Sequence, residues 1–413
     1  MQISMFDGGN QLKISKPIRL IELFAGIGSQ SKALNNLGVD FEHYRICEFD
    51  KYAVQSYNAI HGTDFTTSDI TKISANDLGV VDTDKYCYIM TYSFPCQDLS
   101  NAGLGKGMAK GSGTRSGLLW EVERLLDECD ELPQILVMEN VPAVISEKNV
   151  KHFAKWVEKL ESLGYKNKWE ILNAKDFGIP QNRERCFMVS FLGDYYYDFP
   201  KTIPLKLRLK DMLEKEVDEK YYLSDKMIRY IMANNEKWTG NNNKSLINKT
   251  IASTLTTGEG TYRCDTSNYI SSDFPDNFDL KEVYAYDEQN KYVRKDGCVG
   301  TLTTDGSSHK HNNRIIEPLV WDGYNQQVRA DSSVVGTLTR NYGADLKRNG
   351  QGIIESPYRI RKLTPKECWL LMGFESKDID NAIASGMSNA QLYKQAGNSI
   401  VVNVLMAIFR DML

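Results

Sequence analysis

The sequence predicts an α/β protein in which a doubly wound, largely parallel sheet carries a smaller, mostly β domain as an insertion. Apolar strands alternate with amphipathic helices up to about residue 195. From there to about residue 355 the chain is rich in Asn, Thr, Ser, Gly and Asp and shows no long helical pattern. The helical pattern returns after Pro357. We therefore expect residues 1–200 and 376–413 to form one large domain around an insertion at 201–375.

The composition narrows the class of protein. With 413 residues, of which 41% are hydrophobic and 25% charged, the chain can bury a sizeable core. The formal net charge of −4 gives no overall electrostatic reason to bind nucleic acid, so a local basic face would have to supply one. The eight cysteines lack C-x-x-C spacing, so we expect no zinc site, no disulfide framework and a reducing cytoplasm. No apolar run approaches membrane length.

The first strand, at residues 18–24, leads into a tight turn that contains Gly26 and Gly28. A helix and a second apolar strand complete a β–turn–α–β unit, which ends at Glu48. Glycines let a ligand approach the backbone closely, and a carboxylate about 20 residues later can accept both hydroxyls of a ribose. The unit predicts a nucleotide-like ligand, although the pattern G-x-G fits a plain βα turn equally well.

Asp69 is a third candidate for the same ligand. We place it at the end of a short strand over residues 67–70. From a strand end its carboxylate can accept a hydrogen bond from an adenine amino group. It can equally cap the helix that we expect over residues 71–78, and the sequence leaves both interpretations open.

Cys96 is the candidate nucleophile. It follows Pro95 and a buried strand over residues 86–90, and a segment with six glycines comes after it. A thiolate at a strand end, under a loop that can move, can add to an electron-poor carbon such as C6 of a pyrimidine. A lone cysteine is more often structural, so this chemistry depends on the neighbours of Cys96.

Glu139 and Arg185 are the neighbours that such chemistry needs. Attack at C6 requires a polarised ring, with an acid near N3 and a hydrogen-bond donor near O2. Glu139 ends a buried strand over residues 133–142, and Arg185 precedes an apolar strand at 186–192. We predict that each lies at the end of a strand beside the nucleophile's strand. Addition at C6 makes C5 nucleophilic, so that C5 can take a methyl group from a sulfonium donor held at the glycine turn.

The insertion contains one short pattern three times, at residues 251–256, 299–303 and 335–339. Each copy predicts a short strand followed by a polar or basic loop. Such loops can reach base edges and phosphates, or they can be solvated hairpin turns. The role of the repeated pattern stays open.

Taken in order, eight segments resemble the DNA (cytosine-5) methyltransferase family of the bacterial and phage type. They are FAGIG at 24–28, EFD at 48–50, DI at 69–70, PCQ at 95–97, ENV at 139–141, Q-x-R-x-R at 181–185, the helix at 361–374 and QAGNSI at 395–400. The catalytic half is most similar to CpG-methylating members. In this family the inserted region determines the DNA target sequence. That region is longer in this chain, so the resemblance does not imply a CpG target. The resemblance implies a Rossmann-like AdoMet-dependent methyltransferase domain with an inserted target-recognition domain.

The resemblance also implies roles for single residues. Glu139 would hold N3 and the exocyclic amine of cytosine, and Arg185 would hold O2, with Arg183 beside it. The catalytic residues would be Cys96, Glu139, Arg183 and Arg185. The site for S-adenosyl-L-methionine (AdoMet) would contain Phe24, Ala25, Gly26, Gly28, Glu48, Phe49, Asp69, Ile70, Pro95, Asn398, Ser399 and Ile400. The DNA contacts would be Gln97, Ser100, Lys106, Lys110, Arg115, Gln181, Arg314 and Arg340. No metal site is implied.

The implied function is methylation of cytosine C5 in a short double-stranded DNA sequence, with the target base flipped out of the stack. We expect a monomer without membrane association, in a restriction–modification, phage or prophage context. Whether a separate restriction endonuclease accompanies it stays open. The alternatives are a transfer-RNA methyltransferase, a catalytically silent DNA-binding regulator and a dinucleotide oxidoreductase. The long insertion argues against the first, the intact catalytic set against the second, and the incomplete glycine fingerprint against the third.

Overall fold

The computed structural model describes residues 10–11, 14–96, 99, 107–111, 113–222, 252–253, 255, 269–271, 285–287, 292–294, 320–322, 327–329, 351–353 and 360–413. Most of the repeated pattern and five of the predicted DNA contacts lie outside these residues. The five are Gln97, Ser100, Lys106, Arg314 and Arg340. Within the described ranges no helix is long and apolar enough to cross a membrane. The same residues contain no cluster of His, Cys, Asp and Glu that could hold a metal ion.

Strands and helices alternate through the first half of the chain. The strands are β1 Asn10–Gln11, β2 Ile18–Leu23, β3 Phe41–Cys47, β4 Cys87–Tyr92, β5 Ile135–Asn140, β6 Tyr165–Asn173, β7 Gln181–Asn182, β8 Glu184–Leu192, β9 Tyr195–Tyr196, β10 Ala252–Ser253, β11 Tyr269–Ser271, β12 Ala285–Asp287, β13 Tyr292–Arg294, β14 Val320–Asp322, β15 Gln327–Arg329, β16 Gln351–Ile353 and β17 Ile360–Lys362. The helices are α1 Ser29–Asn36, α2 Lys51–His61, α3 Ala75–Leu78, α4 Leu119–Glu128, α5 Val150–Ser162, α6 Pro365–Leu370, α7 Ser376–Ala384, α8 Asn389–Asn398 and α9 Val402–Arg410. Short 3-10 helices cover Arg115–Leu118, Pro142–Ile145, Ala174–Phe177, Leu209–Met212 and Glu219–Tyr221.

Six strands form the central sheet in the order β3–β2–β4–β5–β8–β6. The first four are parallel, whereas β8 runs antiparallel to β5 and β6 runs antiparallel to β8. Helices α1 and α9 bury their apolar sides in one core, and α4 and α5 bury theirs in a second. Because helices cover the central strands, every residue of β4 and β5 is buried. The predicted doubly wound, largely parallel sheet is confirmed, and the carboxyl ends of its parallel strands share one edge.

Two predicted placements are wrong. Residues 67–70 form no strand, and the Ser68 N–H instead donates to the Glu48 carbonyl at 2.9 Å. Arg185 lies at the start of β8, which pairs with β5, the strand of Glu139, rather than with the nucleophile's strand β4. Because β8 is antiparallel to β5, its first residues still lie at the edge where β5 ends.

In the described part of residues 201–375, the strands form short pairs beside two 3-10 helices and α6. β12 pairs with β13, and β14 pairs with both β15 and β16, all antiparallel. β11 pairs with β17, and β10 joins β7 of the first half. These pairings fit the expected mostly β insertion.

The chain returns to the large domain at α6. This helix begins at a capping box, in which the Thr364 N–H donates to Glu367 at 2.8 Å and the Glu367 N–H donates back to Thr364 at 3.2 Å. Met372 then packs in the same buried core as α9, and its carbonyl accepts the Val402 N–H at 2.9 Å. We therefore propose that the return occurs by Leu363, earlier than the expected residue 376.

Candidate active site

The turn after β2 is shaped by hydrogen bonds to the neighbouring strand. The N–H groups of Phe24 and Ala25 both donate to the Cys47 carbonyl at the end of β3, at 2.7 and 3.2 Å. Phe24 and Gly26 have φ angles of 58° and 56°, in the left-handed region that favours glycine. A Cβ atom on Gly26 would meet nothing within 4 Å. This side of the turn is therefore open to a ligand.

Glu48 lies beside the open side of the turn. One of its oxygens accepts the Gly26 N–H at 3.0 Å, and the other accepts the Asp50 N–H at 2.9 Å. Burial raises the pKa of this carboxyl, and the two N–H donors oppose the rise. The adjacent Phe49 ring is 77% exposed, which is unusual for an aromatic side chain. A partly buried carboxylate and an uncovered ring thus follow each other in the chain, and their contacts with ribose and adenine stay predictions.

Asp69 caps a turn. Its Oδ1 accepts the N–H and the hydroxyl of Thr71 at 3.0 and 2.8 Å, and its Oδ2 lies 3.2 Å from Lys72 Nζ. The hydrogen bonds from Thr71 lower the pKa of this exposed carboxyl. This turn precedes the next helix, α3, whose N-cap is Ser74, so Asp69 does not cap that helix. Ile70 is buried in the adjacent core, and contact of either residue with adenine stays a prediction.

The last predicted cofactor segment packs against the first. Helix α8 ends at Asn398, and the Ser399 hydroxyl donates to the Gln395 carbonyl at 2.7 Å. The Ile400 N–H donates to the Ser29 hydroxyl, at the first residue of α1, at 3.2 Å. The fold therefore joins two segments that are 371 residues apart in the chain.

Cys96, Glu139 and Arg185 lie together at the carboxyl edge of the sheet. Arg185 Nε is 3.1 Å from Glu139 Oε1, and both side chains are mostly buried. Burial raises the pKa of the Cys96 thiol, and the nearby Arg185 guanidinium opposes the rise. Burial also raises the pKa of Glu139, again against the attraction of Arg185. One site thus combines a thiol, an acid that holds its proton more tightly than usual, and a guanidinium donor.

Arg183 is buried, and its guanidinium is bound to three backbone carbonyls. Nη1 donates to Leu255 at 2.9 Å, and Nη2 donates to Gly397 and Ser399 at 3.0 and 2.8 Å. Burial lowers its pKa to about 9, and the like charge of Arg185 acts in the same direction. We propose that these contacts make Arg183 a positioning residue that ties the insertion and the last predicted cofactor segment to the catalytic edge. Its Nε is buried without a hydrogen-bond partner, and contact of Arg183 with the substrate stays a prediction.

A family model described as C-5 cytosine-specific DNA methylase matches residues 18–413. The chain belongs to this family. The orphan methyltransferase M.SPRI of Bacillus phage SPR is 31% identical over 96% of this chain and 97% of its own length. The type II methyltransferase M2.ScrFI of Lactococcus lactis subsp. cremoris is 30% identical over 96% of this chain and 99% of its own. The solved Entamoeba histolytica methyltransferase EhMeth shares the fold, with a TM-score of 0.63 at 17% identity over 96% of this chain and 98% of that one. The protein is therefore a DNA (cytosine-5) methyltransferase.

This methyltransferase anchors the backbone around its nucleophile from two sides, through residues that the sequence prediction missed. Asn140 Nδ2 donates to the Phe94 carbonyl at 2.9 Å, and the Ser116 hydroxyl donates to the Pro95 carbonyl at 2.8 Å. Asn140 could have been found from the sequence, because it is an amide that directly follows the acid Glu139 at the end of β5. Ser116 has no such signal, because its partner lies across the glycine-rich segment.

Gln181 is not placed to contact DNA. Its side chain is fully buried, its Nε2 donates to the Leu371 carbonyl at 2.7 Å, and its Oε1 accepts the Leu255 N–H at 3.1 Å. A buried amide that is engaged at both ends cannot reach a base edge or a phosphate. The predicted DNA contact is corrected to a link between β7, α6 and the insertion.

Lys110 and Arg115 are exposed in the described part of the glycine-rich segment. Lys110 Nζ lies 2.6 Å from Glu123 Oε2 in α4. Met108 nearby is buried, and its carbonyl accepts the indole N–H of Trp120 at 2.7 Å. This part of the segment is anchored to the catalytic domain, so a phosphate would have to replace Glu123 as the partner of Lys110. DNA contact by either cation stays a prediction.

Proposed function

We propose that this methyltransferase acts on C5 of cytosine within one short sequence of double-stranded DNA, with AdoMet as the methyl donor. The observation that carries the proposal is the Glu139–Arg185 pair beside Cys96 at the carboxyl edge of the sheet. A base inside a duplex cannot reach a mostly buried thiol, so the target cytosine has to leave the stack.

The residues around the first turn fit AdoMet. The open space at Gly26 allows the cofactor to approach the backbone, and the Glu48 carboxylate can accept ribose hydroxyls. The exposed Phe49 ring offers a face for adenine. When bound there, AdoMet supplies an electrophilic methyl group.

Cys96 supplies the nucleophile. Its thiol proton leaves to solvent water, and Sγ then forms a bond to C6 of cytosine. The C5=C6 electron pair moves to C4–C5, and the former C4=N3 pair takes up a proton at N3. The cation of Arg185 favours the thiolate over the thiol, because it opposes the effect of burial.

Glu139 supplies the proton for N3. A carboxyl whose pKa is raised by burial retains its proton nearer to neutral pH, which suits an acid that must donate. Arg185 lies beside it and can donate to O2. The C4=C5 pair forms the bond to the methyl carbon, and the N3 electron pair re-forms C4=N3. The C5 proton then leaves to water, and the C5–H electron pair re-forms C5=C6. The C6–S bond breaks with its electrons on sulfur, and the N3 proton returns to Glu139.

The names of the relatives favour a restriction–modification or phage context. They include orphan methyltransferases of Bacillus phages and a type II methyltransferase of Lactococcus lactis subsp. cremoris. We assign target recognition to the insertion, because it is the region that departs most from the catalytic pattern.

Bisulfite sequencing of DNA from cells that express the chain tests this proposal and reveals the target. We expect protected cytosines at one short sequence with the wild type and none with Cys96→Ser. Cys129→Ser is the matched control, because Cys129 is half-buried at the end of α4, away from the active site. It should retain the wild-type pattern. Protection that persists in Cys96→Ser would contradict the mechanism, and a wild type that protects no cytosine would contradict the function.

A further inference from the structure

His61, the last residue of α2, lies against the turn that we assign to the cofactor. Its Nε2 is 3.1 Å from the Ile27 carbonyl oxygen. Because a carbonyl only accepts hydrogen bonds, Nε2 carries the proton and donates it. Burial lowers the pKa of His61 to about 3, so the ring stays neutral at physiological pH. The Ile27 carbonyl, in the middle of the turn, thus has the neutral His61 ring as its hydrogen-bond donor.

The two glycines of this turn face different surroundings. A Cβ atom on Gly26 would meet open space, whereas one on Gly28 would lie 2.3 Å from His61 Nε2 and 2.6 Å from Tyr57 Cε2. Gly28 also has a φ of 79°, which other residues rarely adopt. Gly26 therefore marks the ligand side of the turn, and Gly28 marks the protein side, which His61 fills.

A buried polar network holds the His61 ring in place. The ring centroids of His61 and Tyr57 are 4.6 Å apart. The Tyr57 hydroxyl donates to the fully buried carboxyl of Glu22 in β2, which also accepts the hydroxyl of Ser31 in α1. Strand β2, α1 and α2 are thus joined beneath the turn. This arrangement limits rotation of the imidazole away from Ile27.

We propose that His61 is a positioning residue for AdoMet, because its bond to the Ile27 carbonyl fixes the plane of the Ile27–Gly28 peptide in the turn after β2. Without this donor the carbonyl is left buried and unpaired, and the turn can relax by rotating that plane. Rotation changes ψ of Ile27 and φ of Gly28 and so shifts the turn beside Gly26, whose N–H donates to the Glu48 carboxylate. The inference rests on the proposed AdoMet site, and nothing in it involves the reaction at Cys96.

Two substitutions at one position separate the hydrogen bond from ring packing. His61→Gln retains a donor near the Nε2 position, whereas His61→Met has a similar volume and no donor. By calorimetry on the full-length chain, we expect His61→Met to weaken AdoMet binding about tenfold, and His61→Gln by less than about threefold. In steady state the loss should appear in KM for AdoMet, with kcat and the affinity for duplex DNA unchanged.

Three results would overturn the inference. They are equal AdoMet affinity in His61→Met and the wild type, equal losses in both variants, or a loss that appears in kcat instead of KM. A wild type that does not bind AdoMet would overturn the proposed cofactor as well, so the two failures are distinguishable.

A measurement on the unmodified chain covers the case in which His61→Met does not fold. In a ¹⁵N-histidine sample, saturation with AdoMet should shift the ring N–H signal of His61. The signal of His152 in α5 should not move. A His61 signal that does not respond to bound AdoMet would contradict the inference.

Discussion

Arg361 and Glu367 at α6, and Arg185 and Glu139 in the active site, are both largely buried ion pairs, but their geometries differ. The α6 pair is bidentate, with two N–O distances of 2.8 Å, and its side chains are 4% and 0% exposed. Glu367 also accepts the N–H groups of Thr364 and Glu214. The active-site pair has one contact, Nε to Oε1 at 3.1 Å, with exposures of 13% and 11%.

The difference indicates what each pair does. The Glu367 carboxylate accepts four N–H groups, two on each oxygen, so it has no capacity for a further partner and its pair stabilises the fold. In the active site, the contact between Arg185 and Glu139 fixes both side chains. It leaves other atoms of the carboxyl and of the guanidinium able to bind a substrate. Breaking the α6 pair should therefore lower the stability of the fold, whereas breaking the active-site pair should stop the reaction.

The largest expected effect is on turnover. Glu139→Gln removes the acid that protonates N3 and keeps the shape of the side chain. We expect kcat to fall by about 10² to 10⁴, the usual contribution of a general acid. Melting temperature should fall little, because the amide oxygen of the introduced side chain can still accept from Arg185 Nε. A variant that loses stability and retains turnover would reverse the proposed roles of the two pairs.

Arg361→Met tests the α6 pair. It leaves Glu367 buried and charged without its cation, so we expect the free energy of unfolding in urea to fall by about 3–5 kcal/mol. Adding Glu367→Leu should restore only part of the loss, because it removes the unpaired charge but also the acceptor of the Thr364 and Glu214 N–H groups. The folded fraction of each variant should keep the wild-type kcat. A loss below about 1 kcal/mol would show that the α6 pair does not stabilise the fold in the way that its geometry indicates.

Glu22 extends the comparison to a buried carboxyl that is held by hydroxyl groups. Burial raises its pKa from 4.5 to about 7, and the hydrogen bonds from Ser31 and Tyr57 oppose the rise. The folded chain therefore binds more protons than the unfolded chain in this window, and this contribution to stability is lost as the pH rises from about 4.5 to 7. His43 is the nearby titratable ring, and burial lowers its pKa.

The test compares unfolding free energies of the wild type and Glu22→Gln at pH 5 and pH 8. Relative to the wild type, the free energy of unfolding of Glu22→Gln should rise by up to about 3 kcal/mol from pH 5 to pH 8. A difference that does not change with pH would mean that Glu22 does not titrate in this window.

The smallest expected effect concerns the pair of Lys110, whose side chain is 67% exposed, and Glu123, whose side chain is 12% exposed. Glu123→Gln should change the free energy of unfolding by less than about 1 kcal/mol, because the Lys110 ammonium stays solvated when its partner loses the charge. Urea denaturation checks this prediction. A larger loss would mean that the pair anchors the glycine-rich segment more strongly than its exposure implies.

Local patterns were enough to predict the central sheet and the residues at its carboxyl edge. Glycines, a carboxylate at a strand end and a Pro-Cys turn are short-range signals, and they placed Gly26, Glu48, Cys96 and Glu139. The strand neighbours of Arg185 were mispredicted, because β8 pairs antiparallel with β5 and such pairing depends on tertiary contacts, which local sequence patterns do not show. The sequence also missed that Thr71, two residues on, donates to the Asp69 carboxylate within a local turn.

The positioning residues were beyond sequence reasoning. Gln181 and Arg183 are polar and lie in a motif, and their type suggested contact with substrate. Their partners are backbone carbonyls and N–H groups at residues 255, 371, 397 and 399, which no spacing rule connects to them. His61 likewise ends a helix in sequence, and only the packed turn shows which carbonyl it holds.

Attack of Cys96 on C6 is the central claim, and a trapped adduct tests it most directly. Duplex DNA with 5-fluorocytosine at the target, which bisulfite sequencing identifies, is incubated with the chain and AdoMet. Because fluorine cannot leave C5 as a proton does, the intermediate should accumulate as a stable protein–DNA conjugate. Mass spectrometry should locate the bond at Cys96. Methylation of the unmodified duplex with no conjugate on the fluorinated one, or a conjugate at another residue, would contradict the account.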